Sequence, residues 1–266
     1  GHGFTIDISD VQQPVKGLSV HRGIVREGEV TSGSAVVAHV DERRRRDGEK
    51  AHSGTHIIHA ALHQVLGNEA TQRGSFNKEG YLRFDFAWNE GLSESVQREV
   101  EEVANTAIRN NFSTITREMP LDEAKKLGAM SLFGEKYGET VRVVEMGGEF
   151  SRELCGGTHV GSSAEIGPVS VLGESSVGSG ARRIEAYSGM DAFRYYSKET
   201  ALVEGVSREL KVQTEDLPER IAQLSEKLKA AEKEIETLRK QQLAARASEF
   251  VGAAKDINGF KVIALT

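Results

Sequence analysis

His52 and His56 stand four residues apart, and so do Cys155 and His159. On a helix, residues four apart project from one face, so two side chains at that spacing can close on one ion. A thiolate together with imidazoles is the donor set that suits Zn²⁺. Cys155 is the only cysteine of the chain, and it falls inside one of the two pairs. Gly156 and Gly157 leave no side chains between the two donors, which lets the backbone turn sharply or approach another group closely. Thr158 adds a hydroxyl beside them. Two other readings fit the same residues. Cys155 is a nucleophile activated by a histidine, or it is a structural cysteine among solvated histidines.

These residues need elements to hold them. From Ser53 the apolar spacing is helical, with Ile58, Leu62, Val65 and Leu66 on one arc and Gly67 ending the run. With His52 set at zero degrees, His56, His59 and His63 lie in a narrow arc around it, apart from Ile58, Ala61 and Val65. A histidine face separate from the core face follows, with His59 and His63 expected in supporting roles. Upstream, Phe4 to Val40 reads as short strands with glycine-punctuated turns, which suggests a small β-barrel, and Arg43 to Arg46 as a charged connector. Downstream, Leu82, Phe84 and Phe86 alternate as a half-buried strand, and Val96, Val100, Val103 and Ala107 form a helical stripe. Pro120 opens a short helix ending near Gly128, while Val141, Val143 and Val144, then Val169 and Val171, mark further strands. The fold class expected is α+β, with helices laid on a mostly antiparallel sheet.

The tail differs in kind. Ile221, Leu224, Leu228, Ala231, Ile235 and Leu238 follow three- and four-residue steps flanked by Lys and Glu, with Thr214 or Asp216 available as N-cap. A long coiled-coil-like helix or a helical hairpin is expected, and with it self-association. The expected domains are 1–48 (small barrel), 49–190 (α+β core with the metal residues), 191–250 (helical tail) and 251–266 (the start of another domain). The last assignment rests on the apolar run from Phe260 to Leu265, a strand with no partner after it. Together with a start at Gly1-His2-Gly3, it suggests a fragment.

Bulk properties narrow the class. The chain has 266 residues with net charge −6, 38% hydrophobic and 28% charged. That charge argues against a globally basic coat but leaves room for a local basic groove. No apolar run is long enough for a membrane span and no leader-like segment is visible, so no membrane partner is expected. A lone thiol fits a reducing cytoplasm.

The stretch from His52 to Leu62, His-Ser-Gly-Thr-His-Ile-Ile-His-Ala-Ala-Leu, resembles the first metal motif of alanyl-tRNA synthetase editing domains, and Cys155-Gly156-Gly157-Thr158-His159 resembles the second. Thr71–Ser75, Leu82–Phe86, Phe133–Gly138 and Gly180–Ala186 also resemble the family in order and spacing, from about residue 10 onward. Threonyl-tRNA synthetases and freestanding editing proteins share the metal pairs; the Arg182–Ala186 block and the helical tail favour the alanyl family. The resemblance implies a Zn²⁺ site at His52, His56, Cys155 and His159. It also implies hydrolysis of seryl or glycyl esters on the tRNA for alanine, and association with the rest of a synthetase chain. The family's ATP-dependent aminoacylation part has no counterpart here. Gln72 is implied as a pocket residue and Arg182 as a ligand for terminal phosphate or ribose, with an exposed loop glutamine and a plain ion pair as the alternatives. Arg43–Arg46 could touch the tRNA backbone. The runner-up function is a zinc-stabilised tRNA-binding module without turnover.

Overall fold

The computed structural model describes residues 3–15, 17–131, 137–252 and 254–263. Residues 133–136 of one family-like motif, and residues 264–265 of the last apolar run, lie outside them. The chain divides into two compact units, Gly1–Ala192 and Phe193–Thr266.

The first unit opens with strands β1 (Thr5–Val15) and β2 (Leu18–Glu27), paired antiparallel around Gly17 at φ 84. This hairpin is the strand structure present among the described residues of the stretch read as a barrel. Helix α1 (Glu42–Leu66) then begins well before Ser53. Asp41 caps it by accepting the Arg44 N–H at 3.0 Å, which satisfies one of the free donors at a helix start. Arg43–Arg46 are therefore helical first turns, not a connector. Their exposed side chains carry no apolar period, so the pattern shows only from Ala51 onward. Gly67 ends the helix at φ 97, with its N–H on the His63 carbonyl, as its position implied.

Strands β3 (Gln72–Lys78) and β4 (Tyr81–Ala87) follow, then helix α2 (Glu94–Arg109), whose cap Ser93 accepts the Val96 N–H. Next come β5 (Thr114–Pro120), a short helix α3 (Leu121–Lys126), β6 (Thr140–Met146), β7 (Ser151–Leu154), β8 (Val169–Gly178) and β9 (Ala181–Ser188). Two antiparallel sheets result, ordered β3-β4-β9-β8 and β5-β6-β7. In β4 the expected alternation is present. Leu82, Phe84 and Phe86 are fully buried against Ile57, Ile58 and Leu62 of α1, Val100 and Ala104 of α2, and Ile184 of β9. Each such side chain contributes about 1.5–3 kcal/mol by leaving water. On the outer face Asp85 of β4 accepts two bonds from Arg183 of β9, at 2.7 and 2.8 Å. A smaller core joins Ala124 of α3 with Val141, Val143 and Leu154. The α+β class with antiparallel sheets is the observed one.

Helix α4 (Met190–Leu210) leads into the second unit, and α5 (Leu217–Gly252) starts directly after Asp216. Along α5, Ile221, Leu224, Leu228, Ile235 and Leu238 are all at least 38% exposed, so the heptad seam is open among the described residues. Strands β10 (Lys255–Ile257) and β11 (Phe260–Val262) close a small antiparallel hairpin. The run at Phe260 thus pairs with the strand before it, a partner too short and polar to be read from the sequence. Among the described residues no helix is long and apolar enough to cross a membrane.

Candidate metal centre

Helix α1 carries His52 and His56 on one face, and the loop leaving β7 carries Cys155 and His159. The two meet: one donor atom from each of the four residues lies within 4.8 Å of every other. The ring centres of His52 and His159 are 4.4 Å apart, and that of His56 is 5.1 Å from His52 and 4.9 Å from His159. The approach depends on Gly157. An added Cβ there would stand 2.6 Å from His52 Nδ1 and closer still to Cε1, whereas one at Gly156 would meet nothing within 4 Å. Of the two glycines, one makes room for a ligand ring and the other does not. Arg142 of β6 fastens the same loop, donating from Nη1 to the carbonyls of Cys155 and Gly157, both at 2.7 Å. The Cys155 N–H donates back to the Arg142 carbonyl at 3.0 Å, which extends the β6–β7 ladder one residue to the cysteine.

Each of the three histidines uses Nδ1 outward. His52 Nδ1 donates to the Thr158 carbonyl at 3.2 Å, and its Nε2 faces Cys155 Sγ at 3.4 Å. His159 Nδ1 lies 3.3 Å from the Ser53 hydroxyl, which also accepts the Val160 N–H at 3.2 Å. His56 Nδ1 sits 3.0 Å from the Glu153 carboxylate. Nε2 is thereby left for the centre, the arrangement in which an outer partner sets the tautomer of a metal-binding imidazole. The donors fit zinc. The 3.4 Å between Sγ and Nε2 matches the edge of about 3.5 Å that tetrahedral Zn–S and Zn–N bonds imply. His159 Nε2 is buried with no hydrogen-bond partner among the described residues.

The electrostatics suit a cation. Burial opposes ionisation of Cys155, but the neighbouring imidazoles of His159, His52 and His56 outweigh it and bring the thiol down to about 3. Burial also opposes a charge on His56, yet Glu153 and Cys155 lift it to about 10. Glu153 is held well below the usual carboxylate range, because His56 and His59 overcome the cost of burying it. Burial is the largest influence on His159 and lowers it.

Comparisons with known proteins give the chain's relatives. Residues 141–185 match the family described as the Threonyl and Alanyl tRNA synthetase second additional domain. Over 264 residues, 99% of the chain, it is 60% identical to the alanine–tRNA ligase of Paenarthrobacter aurescens and covers 30% of that protein. It is 54% identical to the alanine–tRNA ligase of Corynebacterium glutamicum over 260 residues, 98% of the chain and 29% of the relative. Over nearly its whole length the chain is thus similar to part of the alanine–tRNA ligases. It spans about 30% of the length of the relatives it matches. The stretch matched to the domain family holds Cys155 and His159, while His52 and His56 come from the helix before it.

The other residues expected from the alanyl-tRNA synthetase resemblance fall in different places. Gln72, expected in a loop, opens β3 and donates from Nε2 to the Ser75 hydroxyl at 3.1 Å. It lines a cavity of about 800 Å³ with His59, His63, Thr71, Met130 and Phe150. Thr158 is exposed, and its carbonyl rather than its hydroxyl contacts the cluster. Arg182 is not brought to the cluster by any described contact. Its guanidinium is taken by Glu174, from Nη2 at 2.7 Å and also from Nε, so the ion-pair alternative is the arrangement present. The single histidine arc divides, with His52 and His56 at the cluster and His59 and His63 packed edge to face, 4.5 Å apart, along the cavity. Sequence reasoning missed Ser53, Arg142 and Glu153. Only Glu153 left a signal: two positions before Cys155 on a strand, it had to share the cysteine's side.

Proposed function

We propose that the chain is the editing part of an alanyl-tRNA synthetase, a zinc-dependent hydrolase that removes serine or glycine from the tRNA for alanine. The convergence of His52, His56, Cys155 and His159 from two distant segments carries this reading. The need for such a site is physical. Alanine differs from glycine by one methyl and from serine by one hydroxyl, differences that a binding pocket turns into only about 1–3 kcal/mol. A second site that hydrolyses the wrong ester supplies the missing accuracy.

His52, His56, His159 and the Cys155 thiolate would hold the ion. Bound zinc polarises a carbonyl or acidifies a water. The protein's own groups do the rest. Thr158, exposed on the loop that bears His159, offers its hydroxyl to the substrate at the mouth of the centre. Gln72 offers an amide from the neighbouring cavity, whose polar and apolar wall suits the aminoacylated nucleoside end of a tRNA. Arg182 contributes through its bond to Glu174, which also accepts the Leu92 N–H at 3.1 Å and ties the sheet edge to the segment before α2. Water adds to the ester carbonyl and the bond to the tRNA 3′ oxygen breaks, giving free amino acid and tRNA. The domain plan, a barrel before the editing core and a helical tail that assembles with other chains, belongs to the same proposal, as does a cytoplasmic setting.

The test is hydrolysis of seryl-, glycyl- and alanyl-tRNA for alanine by the purified chain, with and without a chelator. Release of serine and glycine but not alanine, lost on chelation, is the result expected. Tight binding of zinc and tRNA with no turnover on any of the three would replace the enzyme by a binding module. That outcome has a physical basis, since four protein donors fill a tetrahedral zinc.

A further inference from the structure

Glu153 is 5% exposed and lies at the end of β7 opposite Val144, inside the molecule. Its two carboxylate oxygens face two different histidines: Oε2 is 3.0 Å from His56 Nδ1 and Oε1 is 3.1 Å from His59 Nδ1. His56 and His59 are themselves buried, at 6% and 4% exposure. Neither N–H points straight at its oxygen, since His56 Nδ1, His59 Nδ1 and Glu153 Oε1 all lack a hydrogen-bond partner of good geometry. The attraction is that of opposed charge and dipole at close range, in a place where water does not screen it.

We propose that Glu153 is a positioning residue for the metal centre, holding His56 by Nδ1 so that Nε2 meets the ion and balancing the charge the ion brings. The inference rests on the reading of the four donors as a metal site. Of the three outer partners, the Thr158 carbonyl and the Ser53 hydroxyl are neutral; Glu153 alone carries a charge. A dication on one thiolate leaves one positive charge in a half-buried pocket, and a buried carboxylate one residue away from the ion cancels it. An uncompensated buried charge is costly, so removing the carboxylate should weaken the metal more than removing a neutral partner would. The second oxygen fixes His59, whose ring stands on Phe84 at 4.8 Å between centres. The carboxylate is thus anchored from behind by a ring that is packed against the core.

The test is zinc affinity of the whole chain, measured by competition with a chromophoric chelator, for the parent, Glu153→Gln, Glu153→Asp and Ser53→Ala. Glutamine keeps the shape but removes the charge, and its amide can accept from one histidine only. A loss of about 10–100-fold is expected for Glu153→Gln, the usual range for an outer partner of a zinc ligand. Glu153→Asp should recover part of it, and Ser53→Ala should lose less than Glu153→Gln. Combined with His56→Ala, the Glu153→Gln change should cost less further affinity than it does alone, because the part of its effect that positions that ring is already gone; fully independent costs would mark a merely structural role. Cobalt in place of zinc gives a second readout, a shifted visible band in Glu153→Gln at full loading. Should Glu153→Gln fail to fold, Glu153→Asp decides the positioning role, since it keeps the charge but withdraws the oxygens from His56, and parent-like affinity and band in it overturn that role. Parent-like affinity in a folded Glu153→Gln overturns it too. Failure of the parent to retain zinc overturns the metal site itself. Glu153-dependent zinc binding without ester hydrolysis keeps this inference and removes the proposed enzyme.

Discussion

Replacing Gly157 by alanine isolates the closest approach in the centre. The added Cβ would stand 2.6 Å from His52 Nδ1, against 3.4–4 Å for ordinary contact. The clash involves a ring edge held by the Thr158 carbonyl at 3.2 Å, so the ring must swing away. Gly157 is not among the glycines at positive φ, so alanine brings no backbone strain and the effect is confined to His52. Losing one hydrogen bond costs about 1 kcal/mol, and an imidazole pushed off its rotamer about 0.5–1.5 kcal/mol. Together they amount to about 1.5–2.5 kcal/mol, or about 10–60-fold in affinity at 1.4 kcal/mol per decade. The control is Gly156→Ala, one residue away, where a Cβ meets nothing within 4 Å and φ is not positive. Chelator competition on the two variants should show zinc weakened in Gly157→Ala and unchanged in Gly156→Ala. Equal affinities in the two would refute the argument that His52 must reach the ion past a bare backbone.

Other consequences are open to measurement. Cys155→Ser should lose zinc and seryl-tRNA hydrolysis together, since a hydroxyl replaces thiolate poorly on zinc; lost activity with full metal content would make Cys155 a nucleophile instead. His52→Ala and His56→Ala should lower metal content in the same way. In the metal-free protein Cys155 is a thiolate above about pH 3 and His56 keeps its proton to about pH 10. Zinc binding near pH 7 should therefore expel one proton, from His56, and gain about tenfold in affinity per pH unit up to about pH 10. Calorimetry in buffers of different ionisation enthalpy counts that proton, and a count of zero would contradict the Glu153–His56–Cys155 charge arrangement. Deleting 217–266, which lie in the second unit, should leave zinc content intact; its loss would show the tail to be part of the editing fold.

The parts of the fold that were legible are those where burial follows a local period. In β4 every second residue faces the core, so Leu82, Phe84 and Phe86 announce the strand. In α2 the stripe Val96, Val100, Val103 and Ala107 announces the helix, with Val100 and Ala107 buried and Val96 and Val103 packed against the core. The start of α1 was hidden because its first turns are solvated on all sides and are held by a cap and by Arg44's bond to Glu79, neither of which has an apolar signature. The division of the histidine arc was hidden for a related reason. A helical wheel gives direction around one helix, but what stands opposite each sector is decided by other elements. The β6–β7 hairpin and its loop meet His52 and His56, with Glu153 reaching on to His59, and the cavity meets His59 and His63.

The same distinction separates donors from the groups that orient them. A metal site assembled from two (i, i+4) pairs writes its donors into the sequence, because each pair is local and only their meeting is tertiary. The orienting groups obey no such spacing. Ser53 precedes the ligand it serves, His159, by 106 positions, and Arg142 reaches the Cys155 carbonyl across 13. Both are visible only once β6, β7 and α1 are packed. Glu153 stands between these cases: its side was fixed by strand alternation with Cys155, but its partners, His56 and His59, lie on the other segment. A carboxylate two positions before a ligand cysteine on a strand shares that ligand's side, and a buried one needs a partner; here Glu153 finds His56 and His59, at 3.0 and 3.1 Å.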